Sequence, residues 1–228
     1  MESEGLTQLS DREIFDRKNE EVVLDIEIYP NYFLICIEYI KGGKVWFEGT
    51  EFNRRKLRWI IENNLVYTFN GNKFDFIILN LCIYRPELTI WELQDIAGRL
   101  INGSWPSDIY KEYGIYGNLP VYNHVDIIEL AVGKNSLKTY AGRIHAPYMQ
   151  DLPYSPYIEL TEEQKYEVFK YCWNDTGNTK LLKQFLQPQI KIRETMSLNY
   201  GVDLRSKSDA QIAAAVIVQE LRRKHNVY

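Results

Sequence analysis

An apolar, β-branched stretch, Val22-Val23-Leu24-Asp25-Ile26-Glu27-Ile28-Tyr29, stands out near the front of the chain. Its composition is that of a strand buried on both faces, interrupted by two acids. Strand side chains alternate, so Asp25 and Glu27 share one face. Pro30 cannot continue a ladder and ends the strand. Residues 32–40 repeat the apolar pattern, Lys41-Gly42-Gly43-Lys44 signals a hairpin turn, and Val45-Trp46-Phe47 continues beyond it. The pattern predicts an antiparallel meander of three strands.

Behind the meander the periodicity alternates. Glu51 to Asn63 is helical, with Phe52, Leu57, Trp59, Ile60 and Ile61 apolar and Arg54, Arg55, Lys56 and Arg58 on the wet side. A solvated face explains that basic group better than nucleic-acid contact. Leu65 to Phe69 predicts a short strand, Asn70-Gly71-Asn72 a turn, and Phe74 to Tyr84 a helix. Strand, turn and helix imply a crossover, which sets this strand parallel to the first. A further amphipathic helix runs from Thr89 to Ile101, residues 102–120 resemble a long loop, and Val121 to Ile128 a last strand. Ser136 opens a short helix over Leu137 to Ile144. Thr161-Glu162-Glu163-Gln164 is a capping box for a helix ending near Leu186, which Pro188 kinks or restarts. Ser208 caps the final helix, whose Ile212, Ala213, Val216, Ile217 and Leu221 form a stripe expected to pack on the core. These patterns divide the chain into a polar lead-in over 1–20, partly helical, a domain over 21–187 and a helical extension over 188–228.

Composition adds exclusions. The 228 residues carry a formal net charge of −4, which argues against a generic basic nucleic-acid coat but not against an enzyme that grips a strand locally. Cys36, Cys82 and Cys172 lack metal-ligand spacing and fit reduced core thiols. No signal peptide is present and no apolar stretch is long enough to cross a bilayer, so a soluble, cytoplasmic protein is expected.

The chemistry sits in three acidic contexts. Two like charges buried side by side cost several kcal/mol, or shift upward in pKa, unless a divalent cation converts repulsion into shared ligation. Asp25 and Glu27 are such a pair. Asp75, at the opening of a helix after Asn70-Gly71-Asn72, benefits from the positive end of the helix dipole. Tyr171 and Asp175 lie four residues apart on one helix face. Singly, each has a plain structural explanation: an edge strand, an Asn-Gly turn with an Asp cap, a surface acid beside a tyrosine. Asp126 is best explained as a structural acceptor, with a place beside the site as the lesser alternative. His124 and His145 fit structural roles, and Trp105 either packs or caps a groove.

Together, Asp25-x-Glu27, Asn70-x3-Phe74-Asp75 and Tyr171-x3-Asp175 resemble, in order, the three motifs of the DEDDy branch of the DnaQ-like 3′→5′ exonucleases. The resemblance covers roughly residues 20 to 187. It implies an α/β, ribonuclease-H-like mixed sheet, a three-stranded antiparallel meander plus parallel strands, flanked by helices. The chain is similar in particular to the exonuclease portion of phage DNA polymerases related to family B. Ser136-Leu137-Lys138-Thr139-Tyr140 matches a single-strand-binding (S/T)-L-x2-h motif of the protein-primed members, and Tyr200 to Val218 is like the segment that follows the exonuclease in some of them. Two departures stand out: no clear counterpart exists near Met149-Gln150 for a lysine those polymerases carry, and no palm-domain aspartate motif precedes Tyr228. DNA synthesis is therefore not expected; a stand-alone or split exonuclease, or a piece of a longer polymerase, is. The resemblance implies two Mg²⁺ or Mn²⁺ ions held by Asp25, Glu27, Asp75 and Asp175. It also implies that Tyr171 orients the attacking water, and that Asn70, Phe74, Ser136 and Leu137 hold the 3′ end of single-stranded DNA. Nucleoside monophosphates would be the products and a DNA polymerase the partner. An exoribonuclease resembling RNase D, or a catalytically silent module that binds single strands or a polymerase, are the alternatives.

Overall fold

A computed structural model describes residues 6–115 and 119–225. The meander forms as expected: β1 (Glu21–Tyr29), β2 (Tyr32–Tyr39) and β3 (Lys44–Glu48) are antiparallel neighbours, with Asp25 opposite Cys36 and Glu27 opposite Leu34. β4 (Leu65–Thr68) and β5 (His124–Asp126) run parallel to β1, giving a five-stranded mixed sheet in the order β3-β2-β1-β4-β5. The molecule is thus α/β, with β1 central.

In chain order the helices are α1 (Asp11–Asp16), α2 (Arg54–Asn63), α3 (Asp75–Tyr84), α4 (Ile90–Ile101), α5 (Pro106–Glu112), α6 (Leu137–Arg143), α7 (Glu162–Phe185), α8 (Gln187–Tyr200) and α9 (Asp209–His225). Side-chain caps start many of them: Ser10, Thr89 and Thr161 close capping boxes on α1, α4 and α7, and Asn53 caps α2 through the Lys56 amide.

The alternation of β1 divides the core. Val22, Leu24, Ile26 and Ile28 pack in one cluster with residues of α2, α3 and α4, among them Ile60, Ile78 and Leu93. The opposite face meets α7, where Tyr29 of β1 and Leu34 and Cys36 of β2 pack with Val168, Phe169, Cys172 and Trp173. Asp25 and Glu27 lie on this second face. Further along α7, Lys183 pairs with Glu21 at 2.9 Å and Lys180 with Glu38 at 2.6 Å. The helix therefore supplies a cation each to Glu21 and Glu38, and a carboxylate, Asp175, to Asp25 and Glu27.

Three expectations need correction. The stretch 102–120 is not wholly loop: Pro106 sits at the first turn of α5, where its missing N–H costs nothing, and Ile109 is fully buried. Residues 116–118 of that stretch lie outside the described residues. The last strand keeps only His124–Asp126 of the expected 121–128, because Val121 faces solvent and Ile127–Glu129 winds into a 3₁₀ turn. The stripe of α9 does not pack on the core. Ile212 is buried, but Ile217 and Leu221 are 59% and 52% exposed. Polar contacts tie this helix to α8: Arg193 with Asp209 at 2.6 Å, and Arg223 donating to the Asn199 carbonyl. Pro188 restarts a helix, in the first turn of α8. No helix among the described residues is long and apolar enough to cross a membrane.

Replacing Leu221 by Lys should therefore change stability by no more than about 0.5 kcal/mol, as at other uncovered surface positions. Ile60→Ala, in the core, should cost about 2–5 kcal/mol. Urea denaturation of the two variants checks the contrast.

Candidate metal centre

Each acid reaches the site by a different local device. Asp25 and Glu27 are two residues apart on the central strand, half-buried under α7. Asp175 comes from that helix, one turn after Tyr171, whose hydroxyl donates to its carboxylate. Asn174 Nδ2 donates to Asp175 Oδ1 at 3.4 Å. Carboxylate oxygens of Asp25, Glu27 and Asp175 all lie within 4.8 Å of one another.

Asp75 lies outside that group of three; it ends the β4–α3 turn as the buried first residue of α3, and its charge bears on Asp25 and Glu27. The turn is tightly specified. Asn70 takes a positive φ of 70°. A Cβ on Gly71 would lie 2.0 Å from Thr68 Oγ1, so only glycine fits there. Asp126 of β5 fastens the turn from below, accepting the Asn70 amide on Oδ1 at 2.7 Å and the Asn72 amide on Oδ2 at 3.0 Å. It is thus the structural acceptor expected, and its charge also bears on Asp75. His124 is structural as well: buried, with Nε2 2.7 Å from Thr68 Oγ1.

The electrostatics of the group are strained. Burial, then the charges of Glu27, Asp75 and Asp175, push the Asp25 carboxyl well above its usual range; Glu27 is raised by burial, Asp175 and Asp75. Burial and the charge of Asp126 lift Asp75 to about 8. Burial takes Asp175 to about 6, against the opposing hydrogen bonds from Tyr171 and Asn174. Among the described residues none of the four is in an ion pair. Convergent hard oxygen donors without a cation of their own are the donor set that suits Mg²⁺ or Mn²⁺. Asp25, Glu27 and Asp175 could hold such an ion.

Of the other residues singled out in the sequence, Phe74 lines a groove of about 160 Å³ that reaches Glu27 and is walled by Ile26, Ile28, Gly98 of α4, Leu152 and Tyr157. Asn70 presents a half-exposed side chain at the turn. Ser136 and Leu137 also have local roles in the fold. The Ser136 hydroxyl caps α6 through the Thr139 amide at 3.2 Å, and Leu137 packs beside Phe69 against a cluster that holds Tyr140. Trp105 is 72% exposed at the start of α5. Sequence reasoning missed Cys172, whose Sγ lies 3.5 Å from Asp25 Oδ2 beneath the acids. Its place between Tyr171 and Asp175 was the available signal. No family model, curated protein or solved structure matches the chain.

A pH dependence of stability follows. Asp75 and Asp175 bind protons more tightly folded than unfolded, so their contribution is complete below about pH 4, the ordinary carboxylate range. It is lost as the pH rises through about 6 for Asp175 and about 8 for Asp75. Metal-free protein should therefore melt lower at pH 8 than at pH 5. At pH 8, Mn²⁺ at about 100 times its dissociation constant should add about 2.7 kcal/mol, several degrees in Tm. Asp175→Asn should lose most of that increment. Scanning calorimetry with and without the ion decides it; an unchanged Tm in excess Mn²⁺ would refute binding.

Proposed function

We propose that this chain is a divalent-metal-dependent 3′→5′ exonuclease that hydrolyses unpaired DNA 3′ ends to nucleoside monophosphates. The observation that carries the reading is the meeting of Asp25, Glu27 and Asp175 within 4.8 Å, with Asp75 near enough to raise the pKa of the first two. A mixed sheet of order β3-β2-β1-β4-β5 is compatible with the ribonuclease-H-like arrangement such enzymes use.

Asp25, Glu27, Asp75 and Asp175 would hold two Mg²⁺ or Mn²⁺ ions. When bound, such ions supply Lewis acidity, acidifying water and offsetting charge on the reacting phosphate. The remaining work falls to the protein. Burial and the charges of Asp175 and Glu27 raise the Tyr171 phenol far above neutrality, so it stays protonated; with its one proton donated to Asp175, its oxygen would accept from the water and orient it rather than act as a base. Asn70, on the turn beside Asp75, would hold the sugar-phosphate backbone. The groove at Phe74 is well below the roughly 300 Å³ at which drug-sized pockets begin, so it suits one unpaired base. Stacking there tolerates any sequence and is worth about 1–3 kcal/mol per base. Ser136 and Leu137 complete the proposed set of contacts to the last nucleotides. A DNA polymerase of the phage type is the partner this activity would serve, in proofreading.

The test is release of mononucleotides from 3′-labelled single-stranded DNA in Mg²⁺ or Mn²⁺. Asp25→Ala and Asp175→Ala should abolish release while circular dichroism stays unchanged. Tyr171→Phe should slow it by roughly ten- to a thousandfold, around the range for lost proton-transfer or positioning groups. Faster release from a matched RNA strand would favour the exoribonuclease, and no release from either would favour the silent binding module.

A further inference from the structure

The link between α8 and α9, which no step above uses, runs along the outer edge of β5. That strand pairs with β4 on one side only, so the His124 carbonyl and the Asp126 amide on its other side need partners. A single hydroxyl satisfies both: the Asp126 amide donates to Ser206 Oγ at 2.9 Å, and Ser206 Oγ donates to the His124 carbonyl at 3.1 Å. The segment is pinned on either side of that serine. Leu204 is fully buried, and Arg205 donates to Asn123 Oδ1 at 2.6 Å while gripping Asp203 through two nitrogens.

Asp126 is the next link. Its backbone hangs on Ser206, and its carboxylate holds the amides of Asn70 and Asn72, the turn that delivers Asp75. We infer that Ser206 is a positioning residue of the acid cluster, acting through Asp126 on the β4–α3 turn, so that residues 203–206 belong to the working site rather than to a detachable tail. The chain of contacts is short: among the described hydrogen bonds, Asp126 is the side chain that receives both turn amides. Losing the hydroxyl leaves a buried amide and carbonyl unpaired at the base of the turn, which loosens it.

Because the inference rests on the exonuclease reading only for its catalytic consequence, the experiment has separate arms. Amide hydrogen exchange in the full chain should show the Asn70 and Asn72 amides exchanging roughly tenfold faster in Ser206→Ala, the size expected of one buried hydrogen bond. Ser206→Thr, which keeps the hydroxyl, should restore wild-type exchange. Ser10→Ala removes a capping box on remote α1 and should leave both amides unchanged, which excludes general destabilisation. Arg205→Gln, which frees the segment without emptying a buried position, should move exchange the same way and covers a failure of Ser206→Ala to fold. Unchanged exchange in Ser206→Ala, or, if that variant does not fold, in Arg205→Gln, overturns the inference. On single-stranded DNA, Ser206→Ala should also be several-fold slower than Ser206→Thr. If wild-type protein hydrolyses nothing while the exchange pattern holds, the exonuclease reading fails and the positioning role of Ser206 stands.

Discussion

Mutual repulsion among crowded, half-buried carboxylates is the constraint that organises this molecule. Glu21 and Glu38, on the same sheet, are each neutralised by a lysine of α7. Asp25 and Glu27 receive from that helix another acid instead, and the charge of Asp75, at the start of α3, adds to the repulsion. A fold that keeps such a corner gives up stability when metal-free, since each charge is disfavoured by burial and by its neighbours. Divalent cations reverse the sign of the interaction, so the unfavourable geometry becomes an ion-binding one.

Contacts from several elements hold the corner in place. The strand that carries Asp25 and Glu27 pairs with β2 along both acids and with β4 over Glu21–Val23, and α7 is bonded to the sheet through its lysines. The β4–α3 turn, the one irregular segment involved, is fixed by Asp126, by the tight fit of Gly71 against Thr68, and by Ser206 behind the strand. Ligands held at fixed positions lose little conformational freedom on binding an ion.

Much of this was legible in residues alone. Alternation placed Asp25 and Glu27 on one face, and the four-residue spacing placed Tyr171 beside Asp175; both follow from fixed backbone periods. Local chemistry also marked the capped start of α7. What stayed hidden depends on tertiary neighbours. The period of α9 marks an apolar face but cannot say whether anything covers it, and Ile217 and Leu221 are left open. Pro106 reads equally as loop or as helix start until Ile109 is seen to be buried. Cys172 beneath Asp25, and Ser206 some 80 positions from Asp126, act through contacts that no spacing rule anticipates.

The central claim concerns an ion, so the most direct measurement is to see one. Crystals of the protein soaked in Mn²⁺ and recorded near the manganese absorption edge should give an anomalous peak between the carboxylates of Asp25, Glu27 and Asp175, lost in Asp175→Asn. A map with no peak there, or with manganese only at acids elsewhere on the surface, would contradict the account.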